Sequence, residues 1–228
     1  MTQYFFPRLD ILPPPQRRLW HELAEVPSEF VLYGGTALAL HLAHRESVDF
    51  DFFSDEPLEA GRLAPAIPFL QTATVTQREP NAFSCVVDRG GPVKLSFFGL
   101  PWLTQLAPAL IAPDNALQVA SLLDIAAAKA SVVQQRAEAK DYLDIDALLR
   151  NGVDLPTVLA AGRAVHGAAF NPQSTLKALS YFGDGNLHHL PEPVKDRLRQ
   201  AVRDVDLDRL PVLSASRRGE RSDQGLAR

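Results

Sequence analysis

The segment VLYGGTALALHLAHRESVDFDFF, Val31 to Phe53, restricts the fold more than any other stretch of the chain. An apolar run ends on Gly34 and Gly35, alanine and leucine follow at helical spacing from Thr36 to His44, and Val48 to Phe52 alternates apolar with acidic. The pattern predicts strand, glycine turn, helix, strand. A period of two puts Asp49 and Asp51 on one face of the second strand and Val48, Phe50 and Phe52 on the other. Two carboxylates then stand together above a buried apolar row. Like charges repel at that range, and a cation between them relieves the repulsion. Magnesium, held by Asp49 and Asp51, is the expected occupant, because it takes oxygen ligands and keeps positions open for phosphate and water. The glycine pair lets backbone N–H groups and a helix N-terminus approach an anion closely, and Thr36 adds a hydroxyl there. One end of the unit suits a triphosphate and the other suits its metal.

Gly34-Gly35, thirteen residues, then Asp49-Phe50-Asp51-Phe52 resembles the signature of the DNA polymerase beta-type nucleotidyltransferases. Within that superfamily, GGTALALHLAHRESVDFDFF is most similar to the AbiEii/AbiGii-type proteins, the nucleotidyltransferase-like toxins of abortive-infection, or type IV toxin-antitoxin, systems. The resemblance runs over roughly Phe30 to Leu210 and implies an α+β protein. Its N-terminal half would be a nucleotidyltransferase-fold mixed sheet with flanking helices, and its C-terminal half helical.

Composition limits the alternatives. The 228 residues are 46% hydrophobic and 22% charged, ordinary for a globular protein with a sizeable core. A net charge of −4 and a pI near 5.9 argue against bulk electrostatic binding of nucleic acid, leaving only a local basic groove for that purpose. The single cysteine, Cys85, excludes an intrachain disulfide and fits a reducing cytoplasm. It is expected to fill core within a strand. No apolar run reaches membrane-spanning length and no leader is evident, so a cytoplasmic protein without membrane association is expected. Neither a Ser-His-Asp constellation nor a Walker-type loop is evident, which leaves hydrolase and ATPase readings unsupported.

Pro13-Pro14-Pro15 introduces a helix over Gln16 to Val26, with Arg17 and Arg18 read as solvated. Residues 57–70 read as a loop and helix. Strands are expected at Thr72 to Gln77, Phe83 to Asp88 and Val93 to Phe98, the last two joined by Arg89-Gly90-Gly91. In Val93 to Phe98, Lys94 and Ser96 share one face, toward the aspartate pair. The superfamily often carries a third carboxylate there; this chain has none. The resemblance implies Lys94 as a triphosphate contact, with Ser96 beside it, while an edge-strand lysine that discourages strand pairing is the alternative. Asp88 is a candidate replacement ligand.

Residues 101–120 read as a proline-punctuated connection with a short helix. Beyond it, Ser121 to Arg150 lacks Gly and Pro and is expected to form one long helix. If unbroken, that helix sets Lys129, Arg136 and Lys140 within about 40 degrees of one another. The stripe reads either as an anion site or as a solvated face offset by Asp144. The resemblance implies Lys129 and Arg136 on the triphosphate, Lys140 among the nucleotide-binding residues, and Asp141 near the reactive oxygen or orienting the cations. Asp124 either caps its helix or acts. Further helices are expected at 154–165, 175–182 and 193–205, with His188-His189 on a surface turn. The expected domains are an α/β domain over 1–118, a helical domain over 119–212 completing the active-site cleft, and a disordered tail over 213–228.

The reading as a whole is a magnesium-dependent nucleotidyltransferase moving NMP from an NTP to an acceptor hydroxyl. Asp49, Asp51, Lys94, Lys129 and Asp141 form its catalytic set. The resemblance implies the tRNA 3′ end as acceptor and a DNA-binding antitoxin as partner; a protein or small-molecule hydroxyl is the alternative acceptor. A catalytically degenerate nucleotide-binding or protein-interaction module of the same fold is the alternative function.

Overall fold

A computed structural model describes residues 3–218. Its internal contacts divide the described chain into two compact units, one of residues 3–104, 108–121 and 217–218, the other of residues 105–107 and 122–216.

The first unit is built on a seven-stranded mixed sheet among the described residues. In chain order its strands are β1 (Val31–Tyr33), β2 (Asp49–Ser54), β3 (Thr74–Glu79), β4 (Ala82–Asp88), β5 (Pro92–Gly99), β6 (Leu110–Ile111) and β7 (Gln118–Val119). They lie side by side as β3-β4-β5-β2-β1-β7-β6. Helices α1 (Pro14–Leu19), α2 (Gly34–Leu42) and α3 (Ala60–Ala66) belong to the same unit. β2 occupies the middle because its alternation supplies a fully buried aromatic face. Phe50 and Phe52 are 0% exposed, Phe52 stacks on Phe97 at 4.9 Å between centroids, and Phe30 meets Phe97 edge-on. Val48, expected in that buried row, precedes the strand and is exposed.

The turn joining β4 to β5 is fixed from both sides. Asp88 accepts from the backbone N–H groups of Gly90 and Gly91 at 2.7 and 3.0 Å, and Arg89 makes a two-pronged contact with Glu22. The helix expected over Gln16 to Val26 is α1 followed by a 3-10 segment, Trp20–Glu25. There the Trp20 indole N–H donates to Asp114 at 2.7 Å and Asn115 donates to the Trp20 carbonyl. The short helix expected within 101–120 is replaced by β6 and β7. Pro108 and Pro113 interrupt helical bonding, and the segment gains a ladder instead, Leu32 pairing with Val119. Cys85 lies buried in β4, and burial pushes its thiol up to about 11.

The second unit contains α4 (Leu122–Gln135), α5 (Ala139–Arg150), α6 (Leu155–His166), α7 (Pro172–Ser180) and α8 (Glu192–Arg203). Asp154 and Asn171 cap α6 and α7 with their side chains, each followed by a proline at the first or second helical position. Asp146 of α5 holds Arg197 of α8 through two bonds of 2.7 and 2.9 Å. Asp124 accepts from the backbone of Leu106 and Ala107, which seats Leu106 against Ala127 and Ala161. His188 and His189 lie on an exposed 3-10 turn.

The single helix expected from Ser121 to Arg150 is two helices, broken at 136–138. No glycine or proline causes the break. Asn186 accepts from the Ala139 N–H at 2.7 Å, supplying a cap for α5 from a distant loop. Gly185, at φ +53, passes so close to Ala137 that a Cβ would collide with its carbonyl oxygen. Of the tail expected over 213–228, Leu213 and Ala215 pack against the Leu106 cluster and Ser216 pairs with Gln105, while residues from 219 onward lie outside the described residues. Arg218 donates to the carbonyls of Ser28 and Glu29.

This packing sets an expectation for Gly185→Ala. The substitution adds a Cβ at a left-handed backbone position and against a carbonyl, so it lowers stability by about 1–3 kcal/mol. Thermal unfolding followed by circular dichroism measures the loss; an unchanged midpoint contradicts the close approach.

Candidate active site

The two aspartates fall where the alternation places them. Asp49 and Asp51 are half-buried on one face of β2, with Phe50 and Phe52 on the other. β2 runs parallel to β5 with Asp49 opposite Lys94 and Asp51 opposite Ser96, and residues so paired point to the same side of a sheet. The pairing continues across β4, where Ser84 lies opposite Ser96 and donates to or accepts from its hydroxyl at 3.2 Å. On the other side, Tyr33 of β1 is opposite Asp51. A polar band therefore crosses four strands at the level of the carboxylates. Lys94 is exposed, and among the described residues neither its ammonium nor the Asp49 carboxylate has a hydrogen-bond or ion-pair partner. A cation and an anion side by side, unpaired with one another, are arranged toward something other than each other.

The glycine pair is explained by two separate contacts. Gly34 opens α2 at φ +75, and a Cβ there would lie 2.9 Å from the Asp51 carboxylate. A Cβ on Gly35 would lie 2.6 Å from the Arg45 guanidinium and 2.8 Å from the Ser47 hydroxyl. Asp51 thus rests on the turn that begins α2, and Arg45 and Ser47 rest on the next residue. Both were missed in the sequence, since they sit in the irregular link between α2 and β2 where no period marks a face.

Thr36 departs from its expected part as a phosphate ligand. It is 0% exposed, and its hydroxyl donates to the Asp49 backbone carbonyl at 2.5 Å. Helical spacing turns it toward the sheet, where it fixes the strand carrying the carboxylates. Asp88 stands at the β4–β5 turn, where its Oδ1 accepts from both backbone donors of that turn, and its register partner is Pro92, not the Lys94 or Ser96 that lie opposite the aspartates. The donor set of the first unit nevertheless suits one hard divalent cation: two carboxylates on one strand face, with exposed Lys94 adjacent for phosphate oxygens, while Ser96, 3% exposed, is bonded to Ser84. Among the described residues no group of three or more His, Cys, Asp or Glu side chains converges as a metal cage.

In the second unit, Lys129 is 6% exposed and lies 2.8 Å from Asp141 and 2.5 Å from Asp144, both carboxylates fully buried. Arg136 reaches Asp141 as well, at 2.8 Å, and Lys140 pairs with Glu138 at the surface. The cationic stripe expected of an unbroken helix is therefore replaced. Folding α5 back on α4 brings the acids to Lys129, and an interior lysine takes close carboxylate partners. Burial pushes the Asp141 carboxyl up, but the hydrogen bond from Arg136 and the charge and hydrogen bond of Lys129 outweigh it and hold it below the usual carboxylate range.

A profile of the family described as "Nucleotidyl transferase AbiEii toxin, Type IV TA system" matches residues 17–216. The chain belongs to this family. An uncharacterized protein of Aquifex aeolicus (strain VF5) is 32% identical over 135 residues, 56% of this chain and 62% of that protein. The chain thus spans less than two thirds of that curated relative's length. MenT4, a nucleotidyltransferase toxin from Mycobacterium tuberculosis H37Rv, is similar in structure with a TM-score of 0.55 at 15% identity, covering 88% of this chain and 84% of MenT4. That likeness shows the fold, an α+β nucleotidyltransferase architecture.

Two outcomes are expected of this AbiEii-family chain. Because a depressed acid pKa means stability that is present above the unfolded value, near 3.9, and lost as pH falls through the lower folded value, the Asp141 contribution is intact at neutral pH. Asp141→Asn should lower stability by about 3 kcal/mol at pH 7, with the gap to wild type closing below pH ~4; denaturant titrations from pH 3 to 7 measure it, and a pH-independent gap contradicts the assignment. Gly34→Ala, strained at its φ and pressed on Asp51, should cost about 1–2 kcal/mol in stability, read as a lowered thermal midpoint by circular dichroism; an unchanged midpoint contradicts the close approach.

Proposed function

We propose that this chain is a nucleotidyltransferase that moves a nucleoside monophosphate from an NTP to an acceptor hydroxyl. The observation that carries this reading is the unpaired Asp49 carboxylate and Lys94 ammonium side by side on adjacent parallel strands, with Asp51 set against the Gly34 turn. Membership of the AbiEii family supports it independently.

Asp49 and Asp51 would hold magnesium, which when bound neutralises phosphate charge and orients the α- and β-phosphates. Lys94 takes phosphate oxygens, Ser96 ties β5 to β4 through Ser84, and the backbone at Gly34 and Gly35 admits the triphosphate closely. The acceptor hydroxyl gives its proton to solvent, its oxygen forms a bond to the α-phosphorus, the bond to the β-phosphate bridging oxygen breaks, and pyrophosphate leaves with that electron pair. Thr36 contributes by fixing the Asp49 backbone, a positioning role. Such transfer depends on alignment and charge neutralisation more than on covalent help from the protein.

The acceptor we propose is the 3′ end of tRNA, in a toxin of a type IV system with a DNA-binding antitoxin as partner, acting in the cytoplasm. The family description supports the toxin assignment. Among the described residues no helix is long and apolar enough to cross a membrane.

Purified protein incubated with magnesium, each α-labelled NTP in turn and total tRNA tests this. Label should enter RNA with wild type, and Asp49→Ala with Asp51→Ala should lower the rate at least about a hundredfold. Label in protein instead would move the acceptor and keep the chemistry. No label anywhere, with no magnesium-dependent NTP binding by calorimetry, would overturn the enzyme reading in favour of an interaction module.

A further inference from the structure

The sheet face that carries Asp49 and Asp51 also carries two aromatic rings to which the transfer gives no part. Alternation along β2 sets Phe53 on that face, two residues beyond Asp51, and alternation along β5 sets Phe98 there, two residues beyond Ser96. The register places them opposite one another. Their rings stack with centroids 5.0 Å apart, close to the spacing between neighbouring strands, so the stack runs across the sheet from β2 to β5. Both are half-buried, whereas Phe50, Phe52, Phe83 and Phe97, on the other face, are 0% exposed. The stack is closed at one end. On β1, Val31 lies opposite Phe53 and is buried, and Tyr33 meets the Phe53 ring edge-on at 5.3 Å. At the other end the next strand, β4, sets Ala82 opposite Phe98. A methyl group stands there, where a third ring would continue the series.

The features follow one another along this face in the order of the groups in a nucleoside triphosphate. Lys94 lies opposite Asp49, Ser96 opposite Asp51 and Phe98 opposite Phe53, and the four residues from Asp49 to Phe53 cover about 13 Å. A cation beside a carboxylate comes first, the second carboxylate follows, and a ring pair comes last. Phosphates, sugar and base run in that same order. We propose that the nucleobase of the NTP seats on Phe98, above Ala82, as the third ring of the stack. The seat rests on the reading of Asp49, Asp51 and Lys94 as the triphosphate end. Every base has a π face and stacks on an aromatic ring whatever its hydrogen-bonding edge, so Phe98 anchors the base without choosing among the four. Ala82 keeps the place vacant, and a larger side chain there would fill it.

Calorimetric titration of the full chain with magnesium tests this, with ATP, CTP, GTP, UTP and inorganic triphosphate as probes. Phe98→Leu keeps an apolar side chain and removes the ring; Ala82→Leu fills the seat. Each should weaken the tightest NTP by about tenfold and leave triphosphate as in wild type, with circular dichroism checking the fold. Phe98→Tyr, which keeps a π face, should hold the NTP within about twofold of wild type. A change that merely loosened the sheet would weaken triphosphate along with the NTP. NTP binding indifferent to both leucine variants, or triphosphate weakened in the same proportion, would overturn the base seat and leave the triphosphate reading standing. That reading has its own control, in which Asp49→Ala with Asp51→Ala abolishes binding of triphosphate alone. A wild type that binds neither NTP nor triphosphate would overturn both.

Discussion

Everything in the first unit follows from one strand that must be dry on one side and charged on the other. β2 carries Phe50 and Phe52 inward and Asp49 and Asp51 outward. A buried strand backbone requires partners on both edges, which β1 and β5 supply, and the acidic face forbids a cover of ordinary core. A central strand with one open face is the arrangement that meets both demands. The parallel partner β5 then sets what stands beside the acids, and its register delivers Lys94 and Ser96 rather than the apolar residues between them. A slip of one residue would have placed Val93 and Leu95 there instead.

The second unit solves a different electrostatic problem. Lys129 on α4 is inside, and an interior ammonium is tolerable only with close anionic partners. Asp141 and Asp144, three apart on α5, face it together because residues at that spacing share one side of a helix. Bringing them there requires α5 to turn back on α4. Gly185 and Asn186, some fifty residues further on, make the turn possible by admitting Ala137 and capping Ala139.

Much of this was legible in the sequence because periodicity and glycine are local signals. The strand-turn-helix-strand unit, the β4–β5 hairpin and the shared face of Asp49, Asp51, Lys94 and Ser96 follow from alternation and from two glycine pairs. What escaped was decided by partners distant in the chain. The α4/α5 break has good helix formers on both sides and no breaker, since its cap is Asn186. Thr36 looked available to a ligand because a hydroxyl at a helix start usually is, and only the neighbouring strand shows that the Asp49 carbonyl takes it. The pairing of Val119 with Leu32 could not be read from a strand of two residues, too short to show a period. Lys129, Arg136 and Lys140 formed a stripe only on the assumption of an unbroken helix.

The inward pairing of Lys129 has a bearing on how the chain lives between encounters. A buried lysine without anionic partners would leave the helical unit with an uncompensated charge. Here its charge is balanced by two acids of the same unit. The folded state of that half thus carries its own charge balance and needs no bound anion to complete it.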